Sequence, residues 1–376
     1  MFSSWYSRPH SARKRMISNI YSKSNIHSSP ALAAQAQVIL YDRLLPIIDS
    51  ISSAFKGANC IDVHDLWNAM TMDGMTAYLF GLRNSSNFLQ NQAYRRHWLA
   101  LYQGRKRYTF FSQELPRLTK LCTKIGIHLV PRWVDDANQE LEAWTQEHCD
   151  STMAYMKDAA AGDNVANEPV VLGALINGID KERKMKGEES VLAPTTLKYE
   201  RLSIASEMID HLAAGHETSG ITLTYLSWQL SQNVPLQDSL RAELLTLRPN
   251  MLLSNTPGNI PSSKDLDNLP VLHAVLMETL RLRAAIPGGQ PRMTPYPSCT
   301  LGGYSVPGGV RVGAQAHSVH RNAEVYPDPE KWDYTRWLES ENGYTEEQKK
   351  ERDRWFWAFS SGGRMCVGSN FAMHGM

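Results

Sequence analysis

"FSSGGRMCVG", Phe359 to Gly368, decides how this chain is read. One cysteine, Cys366, stands among Gly362, Gly363 and Gly368, with Arg364 two positions before it. Glycines permit tight turns and let the backbone come close to something flat or bulky. The residues that follow, "SNFAMHGM" (369–376), read as the start of a helix. A thiolate just before a helix is stabilised by the dipole and by unpaired backbone N–H groups. Arg364 adds a nearby cation. The residues alone allow a metal-binding thiolate, a nucleophile, or a glycine-rich turn with a buried free cysteine.

The rest of the chain sets limits. With 376 residues, 42% of them hydrophobic, it can bury a large core as one domain or two. A formal charge of +1 gives no global field for nucleic acid. Cys60, Cys122, Cys149, Cys299 and Cys366 form no C-x-x-C pair, so neither a disulfide framework nor a zinc knuckle is indicated. Most of them read as reduced core thiols. The longest uncharged run, Ser219 to Gln237, is studded with Ser, Thr, Gln and Asn and reads as a buried helix rather than a membrane span. No signal-peptide apolar region follows Met1. The first 41 residues hold no acid but do hold Arg8, Arg13, Lys14, Arg15 and Lys23, a composition shared by transit peptides and ordinary basic helices.

Helical patterning dominates. Residues 10–22, 31–56, 62–82, 88–103 and 134–160 are expected to be helical. Residues 161–197 are expected to be the most loop-like, with "DKERKMKGEES" (180–190) as a charged surface loop. A long helix is expected from about Leu197 to Asn233, ended by Pro235, then a shorter one over 236–247. After a Pro-, Asn- and Ser-rich loop at 249–263, a helix over about 265–285 starts at Asp265 or Asp267 and stops before Pro287. Beyond Pro287 the chain is dense in Gly and Pro, with short alternating pieces such as "GVRVGAQA" (309–316) that read as small strands. The fold class is therefore mainly α with a minor β region near the C-terminal end.

Three further motifs stand in order before the cysteine. "AAGHETSG" (213–220) places a glycine, an acid and an alcohol in mid-helix. Gly215 costs about 1 kcal/mol there relative to Ala. Thr218 and Ser219 could bond to carbonyls one turn earlier and bend the helix. The bland use is a close helix–helix contact. "ETLR" sets Glu278 and Arg281 on one helical face. "YPDPEKWDYTRW" (326–337) then supplies Arg336 beside Trp337.

Phe359-x-x-Gly362-x-Arg364-x-Cys366-x-Gly368 resembles, at all five defining positions, the haem-binding loop of the cytochrome P450 family. The other motifs resemble that family's oxygen-binding helix, its Glu-x-x-Arg pair and its aromatic arginine motif, though Tyr334 and Thr335 stand where the family usually has Pro and Glu. The resemblance covers nearly the whole chain. It implies a single cytochrome P450 domain over 1–376 and a haem-thiolate monooxygenase of fungal type, acting on a small organic substrate, with a place in secondary metabolism. Cys366 would ligate the iron of haem b (iron protoporphyrin IX), the thiolate pushing electron density toward O–O cleavage. Arg364 would pair with a propionate and Phe359 would pack beside the sulfur. Thr218 would steady the activated oxygen, and Glu217 would help relay protons from bulk water. Glu278, Arg281 and Arg336 would form a buried triad behind the loop.

Arg292 in "QPRMTP" (290–295) stands where the family often has a second propionate arginine. His10 and Lys14, one turn apart, match the helix that reaches under the haem edge. That alignment disfavours the transit peptide and makes Arg13 and Arg15 candidates for docking an NADPH-cytochrome P450 reductase. The resemblance further implies O2 as co-substrate and a place on the cytosolic face of the endoplasmic reticulum membrane. It also implies segments before residue 1 and after residue 376: an anchor, a sheet, a substrate loop, and most of the helix beneath the haem. The fold would then be incomplete at both termini, with unpaired edges on the strands of 301–316. The competing class is a truncated, inactive chain that binds haem weakly or not at all. A third class, a cysteine-nucleophile hydrolase, would need His374 as base.

Overall fold

The computed structural model describes residues 6–53, 60–158, 164–249, 260–338 and 343–376. The chain forms two compact units, Met1–Glu217 with Gly375 and Thr218–His374 with Met376. Their sequence boundary falls inside the helix Glu200–Ser231.

The first unit is helical. Ser29 caps Pro30–Gln37, whose proline sits in the first turn, where its missing N–H is harmless. That helix runs through a π-helical turn, Val38–Leu44, into Leu45–Ser53. Pro30–Ile51 is the one helical run among the described residues long and apolar enough to cross a membrane. Arg43 within it pairs at 3.3 Å with the buried carboxylate of Asp73. Asp73 lies on the central helix Val63–Phe80, capped by Asp62 through the N–H groups of His64 and Asp65. Its carboxylate also accepts from Ser86 Oγ (2.7 Å) and from the N–H groups of Phe88 and Leu89, so one buried acid fixes the loop that follows. Gly81 ends the helix at φ +79°, and a Cβ there would stand 2.1 Å from the Asn167 carbonyl oxygen. Only glycine fits.

Helices Gln92–Arg105 and Arg132–Asp158 agree with the sequence reading. The stretch 161–197 corrects it. Val170–Lys186 is a helix of 17 residues that buries Val171, Leu172, Leu175 and Ile179. Gly178 meets Met16 so closely that a Cβ would stand 2.6 Å from the Met16 Cβ, which seats this helix against Ser7–Ile17. The charged run is solvated, as expected, yet helical: Arg183, Lys184 and Lys186 occupy the last turn, where the dipole favours cations. Two short helices, Thr109–Glu114 and Pro116–Lys124, fill a stretch to which the sequence reading assigns nothing. The expected helix ends at 54–56 and 159–160, the opening of 161–197 and most of 249–263 lie outside the described residues.

In the second unit Pro235 opens the helix Val234–Leu244, capped by Asn233, rather than merely ending the one before. The single helix expected over 265–285 is two. Ser262, not Asp265 or Asp267, caps Ser263–Asp267, and Pro270 starts Pro270–Leu282. Strands β1 (Gly289–Met293) and β4 (Arg311–Gln315) pair antiparallel, with Arg292 opposite Val312. Strands β2 (Ser298–Leu301) and β3 (Tyr304–Pro307) form a hairpin turned by Gly302 and Gly303, both at positive φ. The core of this unit gathers Ala274, Tyr326, Trp337 and Leu338, with Trp355 and Phe356 against it.

The cysteines also depart from expectation. Cys149 alone is buried, its thiol pushed up to about 12 mainly by desolvation. Cys122 and Cys299 are half-buried, while Cys60 and Cys366 are exposed.

Candidate active site

The strongest construction lies behind the cysteine loop. Glu278 and Arg281 are fully buried on one face of Pro270–Leu282. Arg281 places all five guanidinium N–H groups: Nε and Nη2 grip the two Glu278 oxygens at 2.8 and 2.7 Å, and the rest reach the carbonyls of His320, Pro329 and Lys331. The Glu278 carboxylate further accepts from Trp337 Nε1 (3.0 Å) and the Asp333 N–H (2.8 Å). Arg336 completes an ion triad, its Nε 3.4 Å from Glu278 Oε1. A charge this deep persists only when its partners are this complete. The indole of Trp337 and the imidazole of His320 are members of the network that the sequence reading missed.

His320 links this network to the cysteine loop. Its Nδ1 lies 2.7 Å from the Arg281 carbonyl, and its Nε2 accepts the Trp357 N–H at 2.7 Å. The two contacts fix the tautomer: Nδ1 carries the proton and the ring is neutral. Burial pushes the imidazole down to about 4. Trp357 then leads into the loop. The Ser360 N–H returns to its carbonyl, and the Trp357 Nε1–H reaches Ser361 Oγ. The Cys366 N–H donates to the Phe359 carbonyl at 2.9 Å and closes the loop. Gly362 sits at φ +70°. Cβ atoms on Gly362, Gly363 or Gly368 would meet nothing within 4 Å. The loop therefore offers an exposed thiol beside a glycine-lined opening.

Two guanidinium groups flank that opening. Arg292, on β1, reaches Ser360 Oγ at 3.4 Å. Arg364 is held below the usual guanidinium range, first by desolvation and then by the charge of Arg292. Bringing two like charges together is unfavourable unless an anion joins them. A thiol, an open glycine surface and a pair of cations suit a flat dianionic iron porphyrin.

The long helix Glu200–Ser231 carries the acid and the alcohol. A Cβ on Gly215 would stand 2.2 Å from Met75 Sδ, so the bland expectation, a close helix–helix contact, is met. Thr71 Oγ1 donates to the His216 carbonyl at 2.7 Å and Thr222 Oγ1 to the Thr218 carbonyl at 3.0 Å. Alcohol back-bonding occurs further along, at Thr222, Thr224 and Ser227, and the helix stays unbroken. His216 is buried edge-on against Trp98 and Tyr102, and desolvation pushes it down to about 4. Glu217 pairs with Lys106 and accepts from Tyr102, whose hydroxyl is raised by burial and then by this carboxylate. Nothing in the sequence pointed to Lys106.

His10 and Lys14 share the helix Ser7–Ile17, His10 buried and Lys14 half-buried. Arg13, on the same helix, is engaged elsewhere in the first unit. It is buried, with Nε and Nη2 on Thr196 Oγ1 at 3.1 and 2.7 Å, near Glu207 and Asp210. Its expected role in reductase docking is corrected by that burial, since a buried, engaged guanidinium cannot meet a partner. Arg15 is exposed.

A sequence model for the family Cytochrome P450 matches residues 4–376. Cytochrome P450 monooxygenase avaI of Aspergillus versicolor is 25% identical over 98% of this chain and 79% of its own length. Cytochrome P450 monooxygenase sdnE of Sordaria araneosa is 24% identical over 96% of this chain and 66% of its own. Cytochrome P450 monooxygenase orf2 of Aspergillus niger is 33% identical, over 43% of this chain and 30% of its own length. This chain thus spans less than two-thirds of the length of several curated relatives it matches. The crystal structure of the cytochrome P450DA heme domain superposes with a TM-score of 0.66 at 15% identity, covering 99% of this chain and 70% of that one, a likeness of fold. With the motif, the buried triad behind it and a family match over nearly every residue, the chain belongs to the cytochrome P450 family.

Proposed function

We propose that residues 1–376 act as one haem-binding domain of a monooxygenase that inserts one atom of O2 into a small organic substrate. The observation that carries this reading is the braced loop: an exposed Cys366 beside open glycines, flanked by Arg364 and Arg292. When bound, haem b supplies the redox-active iron for O2 activation, with two electrons from NADPH through a reductase. Cys366 would hold that iron as a thiolate, and Phe359 and Gly368 would bound the sulfur's surroundings. Arg364 and Arg292, with His10 and Lys14, would neutralise the propionates. Overall, RH, O2, two electrons and two protons give ROH and water.

The proton traffic falls to this chain's own side chains. Glu217 is half-buried and ion-paired with Lys106, itself partly exposed. It would accept a proton from solvent and pass it along the helix to the hydroxyl of Thr218. Such relays contribute about 10²–10⁴ in rate. The same reading puts the protein on the cytosolic face of the endoplasmic reticulum membrane and in fungal secondary metabolism, supported by the fungal relatives. The deciding experiment is the carbon monoxide difference spectrum of the haem-reconstituted, reduced protein. A strongly red-shifted Soret band that disappears in Cys366→Ser is expected. A folded sample without that band would overturn the reading and favour an inert chain.

A further inference from the structure

Arg283 is the C-cap residue of the helix Pro270–Leu282. The residue is half-buried, and its Nε is shut off from solvent with no hydrogen-bond partner. Among the described residues its guanidinium meets no carboxylate and no carbonyl. Its one polar or ring contact is the face of Tyr225, 5.2 Å from the ring centre. A ring face attracts a cation but does not neutralise it. The nearby Arg281 and Arg336 show what burial ordinarily demands, since Glu278 neutralises both. The helix dipole favours a cation at this end. It does not engage the donors of Arg283, because His320 and Arg321 already serve the carbonyls of Arg281 and Leu282. Such a guanidinium suits an anion that the protein does not itself supply.

Position selects the anion. Tyr225 lies seven residues beyond Thr218 on Glu200–Ser231, so the two share a face and stand about 10 Å apart along the axis. Thr222, between them, turns its hydroxyl into its own helix and offers no competing polar group. Tyr225 is 39% exposed and Trp228, one turn further, 51%. One face therefore runs from the alcohol assigned to the reacting end, past two open rings, to a cation. An inorganic anion would satisfy the charge and leave the rings bare. A neutral hydrocarbon would cover the rings and leave the charge. A flat aromatic acid of about that length meets both.

We infer that Arg283 is a specificity-determining residue: it holds the carboxylate of an aromatic acid whose rings lie on Tyr225 and Trp228 and whose far end reaches Thr218. Only the far end rests on the monooxygenase reading, because binding of the carboxylate needs no haem. Isothermal titration and thermal unfolding measure it, with biphenyl-4-carboxylate and its methyl ester as probes, on the full chain before and after haem reconstitution.

The acid is expected to bind about 10- to 100-fold more tightly than the ester, the range for a hydrogen bond to a charged group. It should also raise the melting temperature, as a ligand of the folded chain must. Arg283→Gln should bind acid and ester alike and melt no lower than the parent, since no partner within the protein loses its counter-ion. Arg283→Lys should keep part of the preference, a point charge replacing the planar fork. Trp228→Ala should weaken acid and ester together and leave their ratio unchanged. Equal affinity for acid and ester in the parent, or a preference that survives Arg283→Gln, overturns the proposal. So does an Arg283→Gln that melts far below the parent without ligand, because the guanidinium would then be part of the packing. The carbon monoxide spectrum of the same samples separates the two readings: acid preference without the red-shifted band sinks the haem reading alone, and the band without the preference sinks this one.

Discussion

The Trp357 N–H donates to His320 Nε2 at 2.7 Å, and the Nδ1 of that ring lies 2.7 Å from the carbonyl of Arg281. A neutral imidazole thereby joins the buried triad to the first residue of the segment that leads into the cysteine loop. Protonation at Nε2 would replace an acceptor with a donor facing an N–H. The charges of Arg281 and Arg321 oppose that proton, and burial opposes it more.

Acid should therefore loosen the second unit. The His320 folded pKa, about 4, lies below the ordinary imidazole value of 6.5. The unfolded chain binds the extra proton first, so this contribution to stability is complete above about pH 6.5 and is lost as pH falls toward 4. His211 and His216, both also pushed down to about 4 by burial, act in the same direction in the first unit. Urea midpoints measured across this window should fall with pH, and His320→Gln should flatten part of the slope for signals from Trp355 and Trp357. An unchanged slope would remove His320 from the account.

His320→Ala should destabilise more than His320→Gln. Alanine leaves the Trp357 N–H and the Arg281 carbonyl without partners in a buried place, at about 1–3 kcal/mol each. Glutamine retains one donor and one acceptor. Denaturant unfolding of the two variants orders them, and equal losses would mean that ring packing on Phe356, not hydrogen bonding, is what matters.

Within the triad, loss of charge and loss of a single donor should differ. Glu278→Ala strands two buried guanidiniums, and the cost should be about 3–5 kcal/mol or outright failure to fold. Trp337→Phe removes one donor from Glu278 Oε2, which still holds Arg281 Nε, so about 1.5–3 kcal/mol is expected. Soluble yield and denaturant midpoints would test the ranking.

Much of this was legible in the sequence because the haem loop and the triad are written at fixed local spacings. Five positions between Phe359 and Gly368 and the i, i+3 pair Glu278–Arg281 announce themselves. Partners that the fold brings from afar do not. Lys106 meets Glu217 across 111 positions and His320 meets Trp357 across 37. The helix Val170–Lys186 is hard to see because its last two turns are charged at every position but Met185, which local composition reads as loop. Arg13 shows the opposite limit: a basic run does not reveal which of its members turns inward to Thr196.

Two glycines should respond differently to alanine. A Cβ on Gly215 collides with the end of a flexible side chain, Met75 Sδ and Cγ, whereas one on Gly178 meets the Cβ and Cα of Met16. Overpacking costs about 1–3 kcal/mol. Met75→Ala should rescue Gly215→Ala, while Met16→Ala should fail to rescue Gly178→Ala because the backbone still stands in the way. Thermal unfolding of the four single and two double variants decides this, and rescue at both sites would mean that the helices separate easily.

Under the proposed activity, Glu217 and Lys106 should respond differently to substitution. Lys106 holds this carboxylate and also lies 4.5 Å over the ring of Tyr102, so its ammonium is committed twice. Glu217→Gln keeps the shape but cannot take up a proton, and product formation should fall about 100-fold, the low end of general acid–base effects. Lys106→Gln leaves a carboxylate in place but releases it from its ion pair. Turnover should then persist, with a solvent isotope effect that differs from the parent. Equal loss in both variants, with no change in isotope effect, would make the pair a brace for the helix rather than part of a proton path.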